Sequence, residues 1–259
     1  MLMDYLKWEI NFRLNEIPDY TIEHAEDLRS LYNHGFHKCT KNGQPIFIQV
    51  LAKIGSVDEL FALGTEEQLI RYSTKVYYKM SRVVFPICSQ AAKTYIHELY
   101  TIIDLKNLGK HLLSTKVISL IKGDMTICQN YFPESLGESL IINAGIIFRA
   151  LWTLIRPFLD DKTKKKVKVL GEDYLEEVLK SVDKENLPKM LGGNCTCGED
   201  GLCLWSDEGL WKDPSKIESL PEEIIKKRVE ITNTFIKELK TTADEVENRK
   251  KAKGPKIKK

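Results

Sequence analysis

The chain has 259 residues, 42% hydrophobic, 29% charged and 9% aromatic, an ordinary globular make-up that excludes collagen-like, disordered and disulfide-scaffold classes. The apolar stretches are too short and too broken by charge to span a bilayer, and Asp4, Lys7 and Glu9 interrupt any signal peptide, so a cytosolic chain is expected. The net charge of +2 gives no nucleic-acid signal, although seven basic residues fall in 249–259 and leave the preceding body at −5.

In chain order, residues 3–16 read as a helix and 22–32 as a further helical segment, followed by a turn at Asn33-His34-Gly35. Asn42-Gly43 marks a turn that feeds a strand over 46–51. Residues 56–83 read as helical, with start signals at Ser56 and Glu59 and again at Thr65, and Pro86 interrupts the run. The second half of 94–105 is a strand. A helix covers 112–131. The apolar run 140–144 is a strand with both faces covered, and 146–159 is an apolar helix ended or kinked by Pro157. A strand at 166–170 and a helix at 173–181 complete a β-α-β-α-β-α-β order, hence an α/β fold with a mainly parallel sheet. Residues 221–250 form a long charged helix. Its seam of Ile225, Val229, Thr232, Ile236, Leu239, Ala243 and Val246 suits either a coiled coil or a helix laid back on its own domain.

No phosphate-binding glycine loop, dinucleotide fingerprint, nucleophile elbow or H-E-x-x-H pattern occurs. The five histidines are scattered, so no catalytic constellation is expected. Cys195, Cys197 and Cys203 cluster, but zinc wants four ligands and no histidine lies near them in sequence, so no metal is expected. The helix after the 140–144 strand is apolar on almost every face, which implies deep burial or cover over something apolar.

Ordered blocks span about 28–215: HKCTKNGQPI at 37–46, CSQAA at 88–92, TIIDLK at 101–106, QNYFPE at 129–134, IINA at 141–144, RPFLD at 156–160, ENLP at 185–188 and GG at 192–193. Together they resemble the CRAL-TRIO lipid-transfer family, in its branch of yeast and plant proteins that carry phosphatidylinositol and phosphatidylcholine. The resemblance implies a CRAL-TRIO fold: a mainly parallel sheet floor with a helical gate over an apolar cavity that holds one lipid. The gate is 145–165, with Ile147, Phe148, Leu151, Trp152 and Ile155 on it and Gly145 and Gly171 as hinge points. Glu134, Thr163 and Lys166 match the inositol-phosphate site. Thr101 and Tyr77, with Tyr78 adjacent, match the choline-lipid site. Two cations of the family's inositol site are replaced by Ser135 and Glu9, for which Arg13 or Lys165 would have to compensate, and a serine of the choline site is Leu99. Residues 1–27 correspond to the end of an N-terminal helical region, most of which the resemblance leaves without a counterpart, so an exposed apolar patch on the floor is expected. The domain plan is then 1–27, the lipid-binding domain 28–215, the helix 221–250 and a basic tail 251–259. The implied function is phospholipid binding and transfer, without enzymatic activity or cofactor. The implied setting is the cytoplasm, peripherally on Golgi or other endomembranes, with no nucleic acid and with a protein partner on helix 225–246. The alternatives are a carrier of another hydrophobic ligand, or a lipid-sensing scaffold working through that helix.

Overall fold

The computed structural model describes residues 2–51, 56–198 and 203–213. The chain divides into two compact units, Met1–Pro214 and Ser215–Lys259. The second, with the expected helix 221–250 and basic tail 251–259, lies outside the described residues.

Helix α1 (Leu2–Phe12) stops earlier than its apolar pattern suggests, because Arg13 takes a left-handed conformation at φ 55° and starts a 3-10 turn, Leu14–Asp19. Leu14 and Ile17 of that turn are buried in one apolar cluster and Ile22 in another, so the start of the chain is built into the cores. Helix α2 (Ala25–Leu31) then leads into strand β1 (Asn33–Cys39), where a turn was expected. Strand propensity is poor in Asn-His-Gly, and tertiary pairing overrides it. β1 pairs antiparallel with β2 (Pro45–Val50), and the hairpin turns at Asn42-Gly43, where Gly43 has φ 81°.

Helices α3 (Val57–Ala62) and α4 (Glu66–Lys79) follow. Ser56 caps α3 through the Glu59 N–H, and Thr65 and Gln68 close a full reciprocal capping box on α4. The chain stays helical through Pro86, where an interruption was expected. A π turn, Met80–Val84, widens the helix just before α5 (Phe85–Ala92), and Pro86 then sits in the first turn of α5, where its missing N–H costs least. Strand β3 (Leu99–Asp104), helix α6 (Thr115–Tyr131), strand β4 (Leu136–Ile142), helix α7 (Ile146–Ile155), helix α8 (Asp161–Lys166), strand β5 (Val167–Val169), helix α9 (Leu175–Ser181) and the short helix α10 (Cys203–Ser206) complete the described residues.

The sheet runs β1-β2-β3-β4-β5 in spatial order, with β2 to β5 parallel. Crossovers of one hand between strands laid down in one direction place their helices on one face. On the other face, Ile46, Ile48, Tyr100, Ile102, Leu140 and Ile142 are fully buried against α9 and the segment that includes Leu187, Leu191 and Leu204. That segment also covers the sheet's antiparallel edge: Trp205 Nε1 donates to Asn33 Oδ1 at 3.1 Å, and Arg29 donates to the Leu204 and Trp205 carbonyls at 3.2 Å each. A Cβ added at Gly35 would stand 2.4 Å from the Leu204 carbonyl oxygen. Backbone cannot yield as a flexible side chain can, so Gly35→Ala should destabilise the fold by about 1–3 kcal/mol, read as a lower urea midpoint at unchanged slope.

Candidate functional site

Period-2 alternation sends the other half of each strand to the opposite face. There Phe47 and Gln49 of β2, Thr101 and Ile103 of β3, Ser139 and Ile141 of β4 and Val167 of β5 form the floor of a cavity of about 810 Å³. The walls and roof come from α3, α4, α6, α7 and α8, and no side chain of the described residues fills the space between. The volume falls in the upper part of the range typical of ligand sites, roughly 300–1,000 Å³.

Helix α7 covers this space. Phe148, Leu151, Trp152 and Ile155 recur at three and four residues and line the cavity. Ile147 does not line it, but packs half-buried against the same apolar cluster as Phe148 and Leu151. The outer face is mixed: Arg149, Thr153 and Arg156 are exposed beside Ile146 (82% exposed), Leu154 and Phe158. The helix is therefore two-sided, although its sequence reads as apolar all round. These exposed apolar residues stand on the gate and its following turn. Phe158 is held by α6: Lys122 Nζ lies 4.0 Å from its ring centroid, and Gln129 Nε2 donates to its carbonyl at 3.2 Å. The segments that follow β4 and β5 are tied together, since the Asn143 N–H donates to the Gly171 carbonyl at 3.2 Å and the Ala144 N–H to the Leu170 carbonyl at 3.1 Å. Neither Gly145 nor Gly171 has a positive φ; Asn143, at φ 55°, is the residue with the unusual backbone at this hinge.

Of the residues matched to an inositol site, Lys166 and Glu134 approach each other and Thr163 lines the same cavity. Lys166 Nζ donates to Glu98 Oε1 at 2.8 Å and to the Leu136 carbonyl at 2.6 Å, with Glu134 Oε2 at 3.8 Å. Glu134 also faces Lys162 at 3.6 Å and sits at φ 56°, a strained backbone state for a non-glycine residue. Thr163 Oγ1 donates to Asp160 Oδ2 at 2.6 Å, while Asp160 caps α8. Glu98 is a member that sequence reading missed, since its carboxylate comes to Lys166 only through the fold. The possible substitutes for the lost cations do not reach the site. Arg13 pairs with Glu16 at 3.7 Å, and Lys165 is exposed away from the cavity lining. Glu9 is taken up by Arg82 at 3.5 Å, and Ser135 Oγ donates to the Phe132 carbonyl at 2.7 Å.

Tyr77 and Thr101, the residues matched to a choline-lipid site, also line the cavity. Tyr78 does not: one residue further round α4, it turns away, with the Arg82 guanidinium 5.7 Å from its ring centroid. A more consequential partner of Tyr77 was not anticipated. Asp124 of α6 stands half-buried on the cavity wall, accepting from Ser73 Oγ at 2.5 Å and from the Tyr77 hydroxyl at 2.7 Å. Burial pushes its carboxyl above the usual range, against the opposing pull of those two hydrogen bonds. Burial also drives the Tyr77 hydroxyl well up, with the Asp124 charge adding to it. A lone carboxylate on an amphipathic helix carries no sequence signal that separates it from a solvated one.

Comparison with known proteins agrees with this architecture. The family model described as CRAL/TRIO domain matches residues 30–193. The chain is 36% identical over 221 residues to the phosphatidylinositol/phosphatidylcholine transfer protein SFH11 of Arabidopsis thaliana, covering 85% of this chain and 58% of that one. It is 36% identical over 225 residues to SFH7 of the same plant, covering 86% and 41%. Against the Sec14 cytosolic factor of Schizosaccharomyces pombe it is 33% identical over 208 residues, covering 80% and 71%. The chain thus spans about half the length of those plant relatives. Among solved structures, Sfh5 superimposes with a TM-score of 0.62 over 87% of this chain and 74% of that chain at 20% identity, a likeness of fold.

The poorly solvated carboxyl of Asp124 sets a pH dependence. Its folded pKa is raised, so its contribution to stability is full below the unfolded pKa and is lost as pH rises through the folded one. At neutral pH it is a cost. Asp124→Asn should therefore melt higher than the parent at pH 7, by roughly 2–4 °C for each kcal/mol relieved. The gap should close as pH falls toward about 4, which thermal melts across that range would show.

Proposed function

The chain belongs to the CRAL/TRIO domain family, and from that premise we propose that it binds one phospholipid beneath α7 and moves it between membranes, phosphatidylinositol and phosphatidylcholine being the ligands. The observation that carries this reading is the cavity. Its lining is overwhelmingly apolar, and its polar groups gather at one mouth and around one deep point. Acyl chains buried there gain about 0.8 kcal/mol per methylene relative to water. A bilayer offers the same, so exchange between protein and membrane is nearly balanced in free energy. What the protein supplies is a lower barrier, by lifting α7 where it meets the membrane. The work is binding and release, with no bond made or broken.

The outer face of α7 suits that contact: Ile146, Leu154 and Phe158 enter the acyl boundary while Arg149 and Arg156 meet anionic head groups. We place the phosphate of an inositol head group at Lys166 and Thr163, with Glu134 accepting from inositol hydroxyls. Glu98 and Glu134 already hold the Lys166 ammonium, so the ligand must displace them, which restrains affinity. A choline head group would reach Tyr77 and Thr101 at the deep point. The setting is peripheral on Golgi or other endomembranes. The helix proposed to recruit a protein partner, 225–246, lies outside the described residues.

Native mass spectrometry of the purified chain, followed by lipid extraction, should find close to one phospholipid per chain. Lys166→Ala should reduce phosphatidylinositol loading from liposomes by about tenfold, equal to about 1.4 kcal/mol, and leave phosphatidylcholine loading in place. A chain that is empty as purified and takes up neither lipid from liposomes overturns the reading.

A further inference from the structure

We infer that His37, Cys195, Cys197 and Cys203 form a zinc site that fastens the edge of the sheet to the segment covering it. The site lies apart from the lipid cavity and lines none of it. The imidazole of His37 and the thiols of Cys195 and Cys197 place one ligand atom each within 4.8 Å of one another. His37 Nδ1 lies 3.9 Å from Cys197 Sγ. A tetrahedral zinc with bonds of about 2.3 Å to sulfur holds its ligand atoms about 3.7 Å apart, so this pair is already at near-ligating separation. Cys203 stands outside that group of three: its buried Sγ donates to the Cys195 carbonyl at 3.4 Å, and it becomes the fourth ligand by exchanging that bond for the metal.

The way these groups are held favours a metal over chance proximity. His37 is fully buried, with its Nδ1 turned to Cys197. It stands at a β-bulge, where Phe36 pairs with Phe47 and Cys39 with Pro45, so that three steps on β1 match two on β2. Lys38 follows at φ 51°. A bulge re-aims a side chain, and this one presents His37 to the cysteines. Cys195 is fixed on the other side: its N–H donates to the Leu187 carbonyl and its carbonyl accepts from the Lys189 N–H, each at 3.0 Å. Gly193 lets that backbone approach, since a Cβ there would lie 1.9 Å from the Leu187 oxygen. The set of three thiols and one imidazole is the composition of closed structural zinc sites, and soft sulfur ligands disfavour magnesium, calcium and manganese. Lys38, whose Nζ donates to the Glu185 carbonyl at 2.9 Å, brings a positive charge to this segment.

The test is elemental analysis of the full chain, expressed with zinc in the medium and purified without chelator. About one zinc per chain is expected. His37→Gln and Cys197→Ser should each lower zinc affinity by more than roughly tenfold, and Cys128→Ser should keep zinc, because Cys128 is remote from the cluster. Should the ligand variants fail to fold, the parent chain remains informative: cobalt taken up in place of zinc should show thiolate-to-metal charge transfer and the strong visible bands of a tetrahedral site. Absence of stoichiometric zinc, with all six cysteines titrating as free thiols and no cobalt spectrum, overturns the inference. Stoichiometric zinc retained in Cys197→Ser would do the same.

Discussion

The structure depends on one topological constraint. Strands β2 to β5 are laid down side by side in sequence order, all pointing the same way. Each crossover must then return over the sheet with the same hand, and the helices of all three crowd one face. The opposite face is left to α9 and an irregular segment, which pack against it closely enough to bury Ile46, Ile102 and Leu140 completely. The crowded face cannot be packed in the same way. Helices α4 and α6 lean on each other and α7 spans the gap, so the arch stands off the floor. Filled by side chains, such an arch would be a core; left open, it is a container.

A container of this kind is defined by where its polar groups are tolerated. At the mouth, Lys166 is surrounded by Glu98 and Glu134 in a half-exposed setting where each pair is worth only about 0–1 kcal/mol. Those contacts are cheap to exchange for a ligand's phosphate. Inside, Asp124 is different in kind. It is satisfied by two hydroxyl donors and no cation, and an ionised group so placed costs far more than an exposed one. The gradient from exchangeable ion pairs to a poorly solvated carboxyl gives the cavity a polarity along its length, and with it an orientation for whatever enters.

Most of the sheet could be read from the amino acids. The runs at 46–51, in the second half of 94–105 and at 140–144 are rich in apolar and β-branched residues, the run at 166–170 alternates as an exposed edge strand does, and four strands stand where those patterns placed them. Strand β1 could not be read so, since Asn33, His34 and Gly35 are poor strand formers, and Gly35 is there to admit the Leu204 carbonyl. The cavity lining of α7 followed from its spacing, but its outer polar face did not stand out among so many apolar neighbours. Asp124 and Glu98 carry no local signature, because their meaning comes from Tyr77 and Lys166, which are distant in sequence. His37 was equally hidden, separated from Cys197 by 160 positions and brought to it by a bulge.

The hydrogen bonds joining 143–144 to 170–171 have a mechanical consequence. The excursion that includes α7 and α8 leaves the sheet at the end of β4 and re-enters it as β5, whose Val167 pairs with Ser139. Both of its ends are thus held in one strand pair, which these bonds clamp at its far end, and the helices between carry no rung of the ladders that join β2 to β5. Local opening with a small free energy can coexist with a sheet that opens only when the whole molecule unfolds.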